Sequence, residues 1–437
     1  MKTMQQHIFR RWRWWLAALV ATLCIAYTCS RINQAKTVIV SNPSSFHLTN
    51  KPVIIHRSTL GNEGSSKQRP VLYGGDGVKI IPQTDDTDAD SVWDELFFLS
   101  DFNPGETKTY QLKWEQRNDR ASARVNAHLG KRFAAQQPVK PVLRDTFLPG
   151  DLPAILGYQP YQTDGPVWEN DRVGFRHYLD GRNAKDLFGK QHADLVLDKI
   201  GLTSGGAVVD NYHVLAPWGR DVLSVGESPG LGGIALLIGN KPARLGVSAG
   251  DTFTPIERTV FNISASGPLR TLVGLDYQNW HASPERVYQV SELSSIWPGM
   301  YAFQNKVQLS GLIGGEQLLV SIPNTNTGRG LSEWMVNDSW VALYTHDQQS
   351  YDREHWLGLA LLLPKEFYRG NSTFEGEEGL QDAFYAKMKP IENQYIEYYV
   401  VGCWEYADPQ FKEESYFKNY LQKLADQLDT EVLIEIR

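Results

Sequence analysis

Apolar runs of strand length, separated by glycine, proline, asparagine and aspartate, recur along this chain and constrain its fold more than any other feature. Such runs at short spacing predict an all-β protein, because a strand needs only a few alternating or continuous apolar residues before a turn. The number of runs predicts a large antiparallel β super-sandwich. Clear examples are residues 234–238, 270–276, 301–310, 356–363 and 395–403.

Only one stretch near the end of the chain shows helical spacing. In residues 413–428 the apolar side chains recur every three or four positions, at Phe417, Tyr420, Leu421, Leu424 and Leu428. This period places them on one face of an α-helix. The sequence therefore predicts one substantial C-terminal helix that docks against a sheet.

Composition changes along the chain divide it into four parts. Residues 1–29 are predicted as a signal peptide or lipoprotein signal, and residues 36–117 as a small N-terminal β region with turns at 61–62 and 103–105. Residues 118–149, rich in basic and small side chains, read as a connector that is partly helical. Residues 150–437 are predicted to form the super-sandwich.

The N-terminus predicts export. Arg10, Arg11 and Arg13 precede the apolar residues 14–28, which are too few for a confident membrane span. Cys29 follows this run and suggests a lipoprotein, with an uncleaved anchor as the alternative. We expect a periplasmic or outer-membrane location, with membrane contact only through this segment.

Composition excludes some functions. Of the three cysteines only Cys403 lies beyond the signal, so no internal disulfide is expected. A net charge of −7 provides no basic surface for nucleic acid. Thirteen tryptophans and twenty tyrosines suit both a sheet-rich protein and sugar stacking.

Residues 167–190 hold the densest set of functional side chains. If residues 168–178 form one strand, alternation places Asn170, Arg172, Arg176 and Tyr178 on one face, opposite Val173 and the other core-facing side chains. Two guanidinium groups in such a row could clamp a carboxylate of an acidic sugar. The alternative is a surface row of charges paired across strands.

Further chemistry is predicted for residues 210–233. Tyr212 and His213 are adjacent and could act as an acid and base together with Tyr178, because imidazole titrates near neutrality. The indole rings of Trp168 and Trp218, and alternatively Trp280, could stack on sugar rings. Glu169 and Asp221 are alternative acid/base carboxylates.

An acidic turn resembles a calcium loop. Asp86, Asp88 and Asp90 occupy alternating positions, but Ser91 and Phe97 replace the glycine and glutamate that a calcium-binding EF-hand requires. Calcium here is the weaker expectation. No other metal or cofactor is predicted.

Several blocks resemble the bacterial domain-of-unknown-function family number 4861. They are DTDADSVWDELFF from Asp86, WENDRVGFRHY from Trp168, DLFGK from Asp186, the Tyr212-His213 pair, GPLRT from Gly267 and YYVVGCWEYAD from Tyr398. The resemblance implies a small N-terminal β region, a galactose-mutarotase-like super-sandwich and a carbohydrate context. One departure is Ala216-Pro217-Trp218-Gly219-Arg220 before Asp221, where the family has a Gly-Glu-Gly type of run.

Three functions follow as hypotheses. The first is a lyase that cleaves an acidic, uronate-containing oligosaccharide by β-elimination, which needs a cation or amide at the carboxylate and a base for the C5 proton. The second is a glycoside hydrolase that uses the Glu169 and Asp221 carboxylates. The third is a mutarotase-like, epimerase-like or non-catalytic sugar-binding protein.

Overall fold

The computed structural model describes residues 36–61, 68–116, 120–135, 137–152, 160–248 and 251–437. The predicted export signal, residues 1–29, lies outside these residues. Strands account for 49% of the described residues and helices for 8%, which confirms the all-β prediction.

The N-terminal part begins with seven strands and one short helix. They are β1 (Lys36–Ser41), β2 (Leu48–His56), α1 (Arg57–Leu60), β3 (Gln68–Gly74), β4 (Lys79–Ile80), β5 (Gln83–Asp85), β6 (Glu95–Phe102) and β7 (Thr107–Gln116).

The larger part follows, ending in one long helix and a last strand. Its strands are β8 (Val125–His128), β9 (Gly130–Lys131), β10 (Lys140–Pro141), β11 (Arg144–Phe147), β12 (Val167–Asn170), β13 (Val173–His177), β14 (Lys185–Lys190), β15 (Gly219–Asp221), β16 (Ile234–Ile238), β17 (Lys241–Arg244), β18 (Ile256–Ser266), β19 (Thr271–Ser283), β20 (Arg286–Ile296), β21 (Ala302–Ser310), β22 (Glu316–Pro323), β23 (Ser332–Met335), β24 (Trp340–Asp347), β25 (Leu357–Pro364), β26 (Tyr368–Thr373), β27 (Ala383–Met388) and β28 (Ile396–Trp404), then α2 (Glu414–Asp429) and β29 (Leu433–Ile436). Short 3-10 turns lie at Pro149–Asp151, Gln162–Asp164 and Pro409–Lys412.

Three sheets form the sandwich. A nine-stranded sheet of order β11-β18-β19-β20-β21-β28-β25-β24-β23 packs against two five-stranded sheets, β15-β14-β13-β12-β8 and β17-β16-β22-β27-β26. Period-2 alternation turns one face of each sheet inward, as the sequence predicts. Phe303 of the nine-stranded sheet, for example, has its ring centroid 5.2 Å from Trp168 and 4.6 Å from Phe175 across the core.

The N-terminal region has its own core. Its two sheets, β29-β1-β7-β3-β4 and β2-β6-β5, bury Val38, Val53, Phe98 and Leu112 between them. The last strand, β29, pairs antiparallel with β1, so a C-terminal strand completes one sheet of the N-terminal region.

The predicted connector, residues 118–149, includes strands that belong to the sandwich. β8 forms an edge of a five-stranded sheet and β11 an edge of the nine-stranded sheet. Its described residues contain no α-helix, so the partly helical interpretation is wrong for them. Edge pairing with β12 and β18 stabilises extended backbone despite weak local periodicity.

The predicted C-terminal helix is confirmed as α2. It buries Phe417, Leu421, Leu424 and Ala425. The Phe417 ring lies over Gly358 of β25, where an added Cβ would come within 2.7 Å of the ring, so glycine permits this close packing. In the described part of the chain, no helix has the length and apolar character needed to cross a membrane.

Candidate functional site

The segment predicted as one strand is a hairpin, so the predicted polar row is wrong. β12 and β13 pair antiparallel, and the chain reverses between them at Asp171 and Arg172. Asn170 stabilises the turn, because its Oδ1 accepts hydrogen bonds from the Arg172 and Val173 backbone N–H groups at 2.8 and 2.9 Å. The reversal changes which residues share a face: Val167 lies beside Arg176, and Glu169 beside Gly174.

Four predicted ligand-binding residues therefore lie away from the Tyr212-His213 segment or inside the core. Asn170 is fully buried and donates to the carbonyl oxygens of Trp297 and Met300 at 2.8 and 2.7 Å. Arg172 is exposed in the turn, with its guanidinium carbon 5.8 Å from the Tyr301 ring centroid. Trp168 and Trp280 are buried core residues, so neither ring can reach a sugar.

Arg176 and Tyr178 do join the Tyr212-His213 segment. They lie on the outer face of the β15-β14-β13-β12-β8 sheet, the face turned away from the nine-stranded sheet, with Asp186 and Asp221. We call Arg176, Tyr178, Asp186 and Asp221 the outer charge cluster. Arg176 Nη2 donates to Asp221 Oδ2 at 2.7 Å, to the Tyr178 hydroxyl at 2.6 Å and to Asp186.

The outer charge cluster has more negative than positive groups. Its two carboxylates face one guanidinium, and the Arg176 side chain is only 1% exposed. Burial and the neighbouring Asp186 carboxylate raise the pKa of Asp221 well above its ordinary value, while Arg176 opposes the shift. Arg176 is therefore already neutralised by protein carboxylates and cannot serve as a free clamp for an acidic ligand.

His213 connects this cluster to solvent. Its Nδ1 lies 3.4 Å from Asp221 Oδ2 and its Nε2 lies 3.0 Å from Asp210 Oδ1. The imidazole is 33% exposed, whereas Asp221 is 1% exposed. His213 Nδ1 therefore points toward the buried Asp221 carboxyl group, although no hydrogen bond joins the two. Such a histidine can donate or accept a proton at the surface.

Tyr178 and Tyr212, both predicted as catalytic, are buried. Burial raises the pKa of each phenol, and Arg176 only partly offsets this. Both hydroxyls therefore stay protonated near neutral pH. Tyr178 donates to Asp186 Oδ2 at 2.7 Å, and the Tyr212 ring packs on Phe188 and His213. In this arrangement they orient the charged groups, and neither is a base at neutral pH.

The sequence reasoning missed two residues of this region: Tyr351 lies beside His213, and Arg182 lies beside Tyr178. Tyr351 stacks on the imidazole with ring centroids 5.3 Å apart and is 49% exposed. Arg182 lies over the Tyr178 ring, with its guanidinium carbon 3.9 Å from the centroid, and is 39% exposed while bonded to Asp180. Trp218 is half-buried against Phe188, with centroids 6.2 Å apart. The pairing of Arg182 with Asp180, two residues away, could have been recognised in the sequence, but nothing in the sequence places Tyr351 here.

Glu169 holds a loop and does not face a ligand. It is fully buried, accepts from Lys190 Nζ at 2.6 Å, and accepts from the Val196 and Leu197 N–H groups at 2.7 Å each. It also lies three strands from Asp221 in the sheet. Three strand spacings amount to about 14 Å, wider than the carboxylate separations of glycosidases. The predicted Glu169-Asp221 pair is therefore not a hydrolytic pair.

The opposite, inner face of the same sheet carries a second set of charges. Lys185 Nζ donates to Glu292 Oε2 at 2.7 Å, and Tyr277 and Asn305 donate to the same carboxylate at 2.9 and 2.8 Å. His177 lies beside them, with Nε2 3.5 Å from the Tyr277 hydroxyl. We call Lys185, Glu292, Tyr277, Asn305 and His177 the inner charge cluster. Every member is at most 3% exposed, so none can contact a ligand in solution.

In the acidic turn, the carboxylates that lie close together are not the same set as in the calcium prediction. Carboxylate oxygens of Asp86, Asp88 and Asp94 lie within 4.8 Å of one another, a spacing that could surround one cation. Asp90 is directed elsewhere, because its Oδ1 accepts from the Val92 N–H group at 2.7 Å. Calcium stays a prediction, with Asp94 in place of Asp90.

The fold and site define an antiparallel β-sandwich protein that presents an aspartate-supported histidine on the outer face of one sheet. The chain belongs to the family described as Domain of unknown function (DUF4861), whose model matches residues 40–434. The resemblance noted from the sequence blocks is thereby confirmed.

Two kinds of similar protein are known. "Uncharacterized protein P7" of Formosa agariphila is 22% identical over 384 residues, which cover 82% of each chain. Two solved structures from Enterococcus faecalis, an alpha-mannosidase and a protein in glycosyl hydrolase family 38, match 92% of this chain at 10% and 9% identity, with TM-scores of 0.46 and 0.47. This chain spans about half of them, 46% and 47% of their lengths.

Proposed function

We propose that this protein is a carbohydrate-active enzyme that moves a proton at an acidic oligosaccharide, with His213 as the acid or base. One observation carries the proposal: the His213 imidazole is one-third exposed, and its Nδ1 faces the buried Asp221 carboxyl group at 3.4 Å without a hydrogen bond between them. Such a histidine has a carboxyl group beside one ring nitrogen and access to a ligand at the surface.

The surface around His213 supports a sugar as the ligand. Tyr351 offers an exposed aromatic ring directly beside the imidazole. Val214 and Leu215 add exposed apolar side chains next in the chain. A pyranose presents a C–H face to such rings and hydroxyl groups to the nearby carboxylates, so this mixture of groups suits a carbohydrate.

The reaction that we propose is β-elimination beside a uronate. Neutral His213 takes the C5 proton, the electrons of the C5–H bond form the C4=C5 double bond, and the C4–O4 bond breaks. The leaving oxygen then takes that proton from His213, which returns to its neutral form, and becomes the hydroxyl of the released sugar. We assign the carboxylate to Arg182, which is 39% exposed whereas Arg176 is buried, and which would exchange its Asp180 partner for the sugar carboxylate and stabilise the developing negative charge.

A panel of uronate-containing oligosaccharides, matched with neutral ones of the same linkage, tests this proposal. We expect absorbance from the unsaturated product for an acidic substrate only. The Arg182→Gln variant should raise KM for that substrate. New reducing ends without this absorbance would contradict the lyase and indicate a hydrolase. Binding without any product would indicate a sugar-binding protein without activity.

A mutarotase-like or epimerase-like reaction is the second candidate, and the contact between Asp210 and His213 favours it. The carboxylate and the imidazole lie 3.0 Å apart at the surface, and such a pair could remove one sugar proton and return another. Exchange between sugar anomers, followed by NMR with and without the protein, would reveal this activity. No acceleration would eliminate the mutarotase version.

We also propose export to the periplasm or outer membrane, on the basis of the arginine-rich and apolar N-terminus. Cell fractionation of the full chain and of a Cys29→Ser variant tests this. Loss of membrane association in the variant would support lipidation, whereas cytoplasmic wild-type protein would contradict export.

A further inference from the structure

A cavity of about 440 Å³ lies on the other side of the molecule from His213. Its walls come from strand β2 of the N-terminal region, strands β20, β21 and β28 of the nine-stranded sheet, and helix α2. The lining residues Gln304 and Tyr399 belong to the face of that sheet opposite the core, since their chain neighbours Phe303 and Tyr398 point inward. This volume suits one or two sugar rings.

The floor and mouth of the cavity differ in chemistry. Trp297 and Tyr399 are buried and form an aromatic floor, with ring centroids 6.1 Å apart. Ser295 also lines the cavity, and its buried Oγ has no hydrogen-bond partner in the described residues. Gln304 donates to the Tyr399 hydroxyl at 2.9 Å. An aromatic surface beside amide and hydroxyl groups is suited to a ring that bears hydroxyls.

Three lysines, Lys51, Lys306 and Lys423, line this cavity. Lys423 is exposed, and no ion pair involving it is found among the described residues. Lys306 is 37% exposed and 3.3 Å from Glu397. Lys51 lies deeper, donates to the Gln427 carbonyl at 2.6 Å, and has its pKa lowered to about 8 by burial. Lys306 and Lys423 both line the cavity, so an anionic group bound there is attracted by both.

The wall of the cavity is positioned by the sequence block WENDR. Asn170 holds the carbonyls of Trp297 and Met300, and the Asp171 carboxylate accepts from the Gly299 N–H group at 2.8 Å. Arg124 bonds both Asp171 and Asn50, which also lines the cavity. The buried Asn170 and the partly exposed Asp171 thus fix one cavity-lining loop, which is how binding sites are pre-organised.

We propose that this cavity is a second binding site, separate from the His213 surface, for a carboxylated sugar. The ring lies on Trp297 and Tyr399, and the carboxylate is held by Lys306 and Lys423. The ligand class follows from the cavity's own lining. It does not depend on which reaction His213 performs.

Calorimetric titration of the full chain with D-galacturonate tests the site, because this monosaccharide has no glycosidic bond to cleave. We expect saturable binding that weakens at least about tenfold, or about 1.4 kcal/mol, in the Lys306→Met/Lys423→Met variant. Galactose, which lacks the carboxylate, should bind at least about tenfold more weakly. Lys241→Met, which removes an exposed lysine on another sheet, is the matched control and should leave binding unchanged.

Three outcomes would overturn the proposal. Binding that survives in the double lysine variant but is lost in Arg182→Gln would place the sugar at the His213 surface. If galactose bound as tightly as galacturonate, the carboxylate would not contribute to recognition. If acetate bound as tightly as galacturonate, the sugar ring would not contribute. Turnover by the double lysine variant, measured separately on oligosaccharides, reports on His213 alone, so either proposal can fail without the other.

Discussion

Adjacent residues on β13 and β14 supply two charge clusters that differ in their access to solvent. Arg176 and Asp186 point outward, whereas their neighbours His177 and Lys185 point inward. The inner charge cluster is closed, with Lys185 and Glu292 paired at 2.7 Å. The outer charge cluster contacts His213, which is one-third exposed. The same kinds of side chain are therefore closed to solvent on one face of the sheet and reach solvent through His213 on the other.

This difference separates charged groups that are closed to solvent from charged groups that solvent can reach. A buried ion pair adds little net stability, because desolvation offsets its attraction, but removing one partner leaves an uncompensated charge and is costly. A titratable group that reaches solvent can exchange protons with a ligand at small cost to the fold. Variants of the two clusters should therefore separate stability from activity.

The largest effect is expected for Lys185→Met, which leaves Glu292 buried without its cation. The free energy of unfolding should fall by about 3–5 kcal/mol, measured by denaturant titration. Lys306→Met, which breaks a half-exposed pair with Glu397, is the control and should cost less than about 1 kcal/mol. The double variant Lys185→Met/Glu292→Met should recover much of the loss. A small effect of the single variant would mean that water reaches the inner charge cluster.

His213→Asn should show the opposite pattern. On the acidic substrate that the panel identifies, kcat should fall by about 10²–10⁴-fold, because the proton-transfer group is removed. Unfolding free energy should stay within about 1 kcal/mol of the wild type, since the imidazole is partly exposed. Activity that persists in a folded variant would remove His213 from the mechanism.

The pH dependence of stability should report on His177. Burial, together with Lys185, lowers the pKa of His177 from 6.5 to about 3, so the folded protein keeps this imidazole neutral. As pH falls below 6.5 the unfolded chain binds the proton first, and stability is lost progressively until pH 3. Between pH 7 and pH 5 the loss should be about 2 kcal/mol. His177→Gln should flatten that part of the profile, and an unchanged slope would contradict the assignment.

The smallest effect is expected for Asp210→Asn. Asp210 contacts His213 at 3.0 Å but is 69% exposed, so water and salt screen the pair. We expect a stability change below about 1 kcal/mol and a modest change in kcat that shrinks further at high salt. Asp221→Asn should lower kcat much more. Equal effects of the two variants would show that the buried carboxylate has no special role in supporting the imidazole.

Several features of the fold could be predicted because they depend on local pattern. The apolar run Ile234–Ile238 predicts that strand at its observed bounds, and the spacing of Phe417, Leu421 and Leu424 predicts the C-terminal helix close to its observed bounds. The Tyr212-His213 pair was recognisable from its chemistry. Trp168 was misjudged, because an indole in an apolar core and an indole that stacks on a sugar look the same in sequence.

The sequence alone determined the all-β class, the C-terminal helix, the family and the segments that carry polar side chains, since each depends on residues close together in the chain. Only the tertiary structure decided what those side chains do. A hairpin turn at Asp171-Arg172 leaves the polar pattern unchanged but reverses which residues share a face, so Asn170 anchors a distant loop while Arg176 meets Asp221. Solvent access and pairing arise when remote strands pack, which is why Arg176 is neutralised and His213 is available.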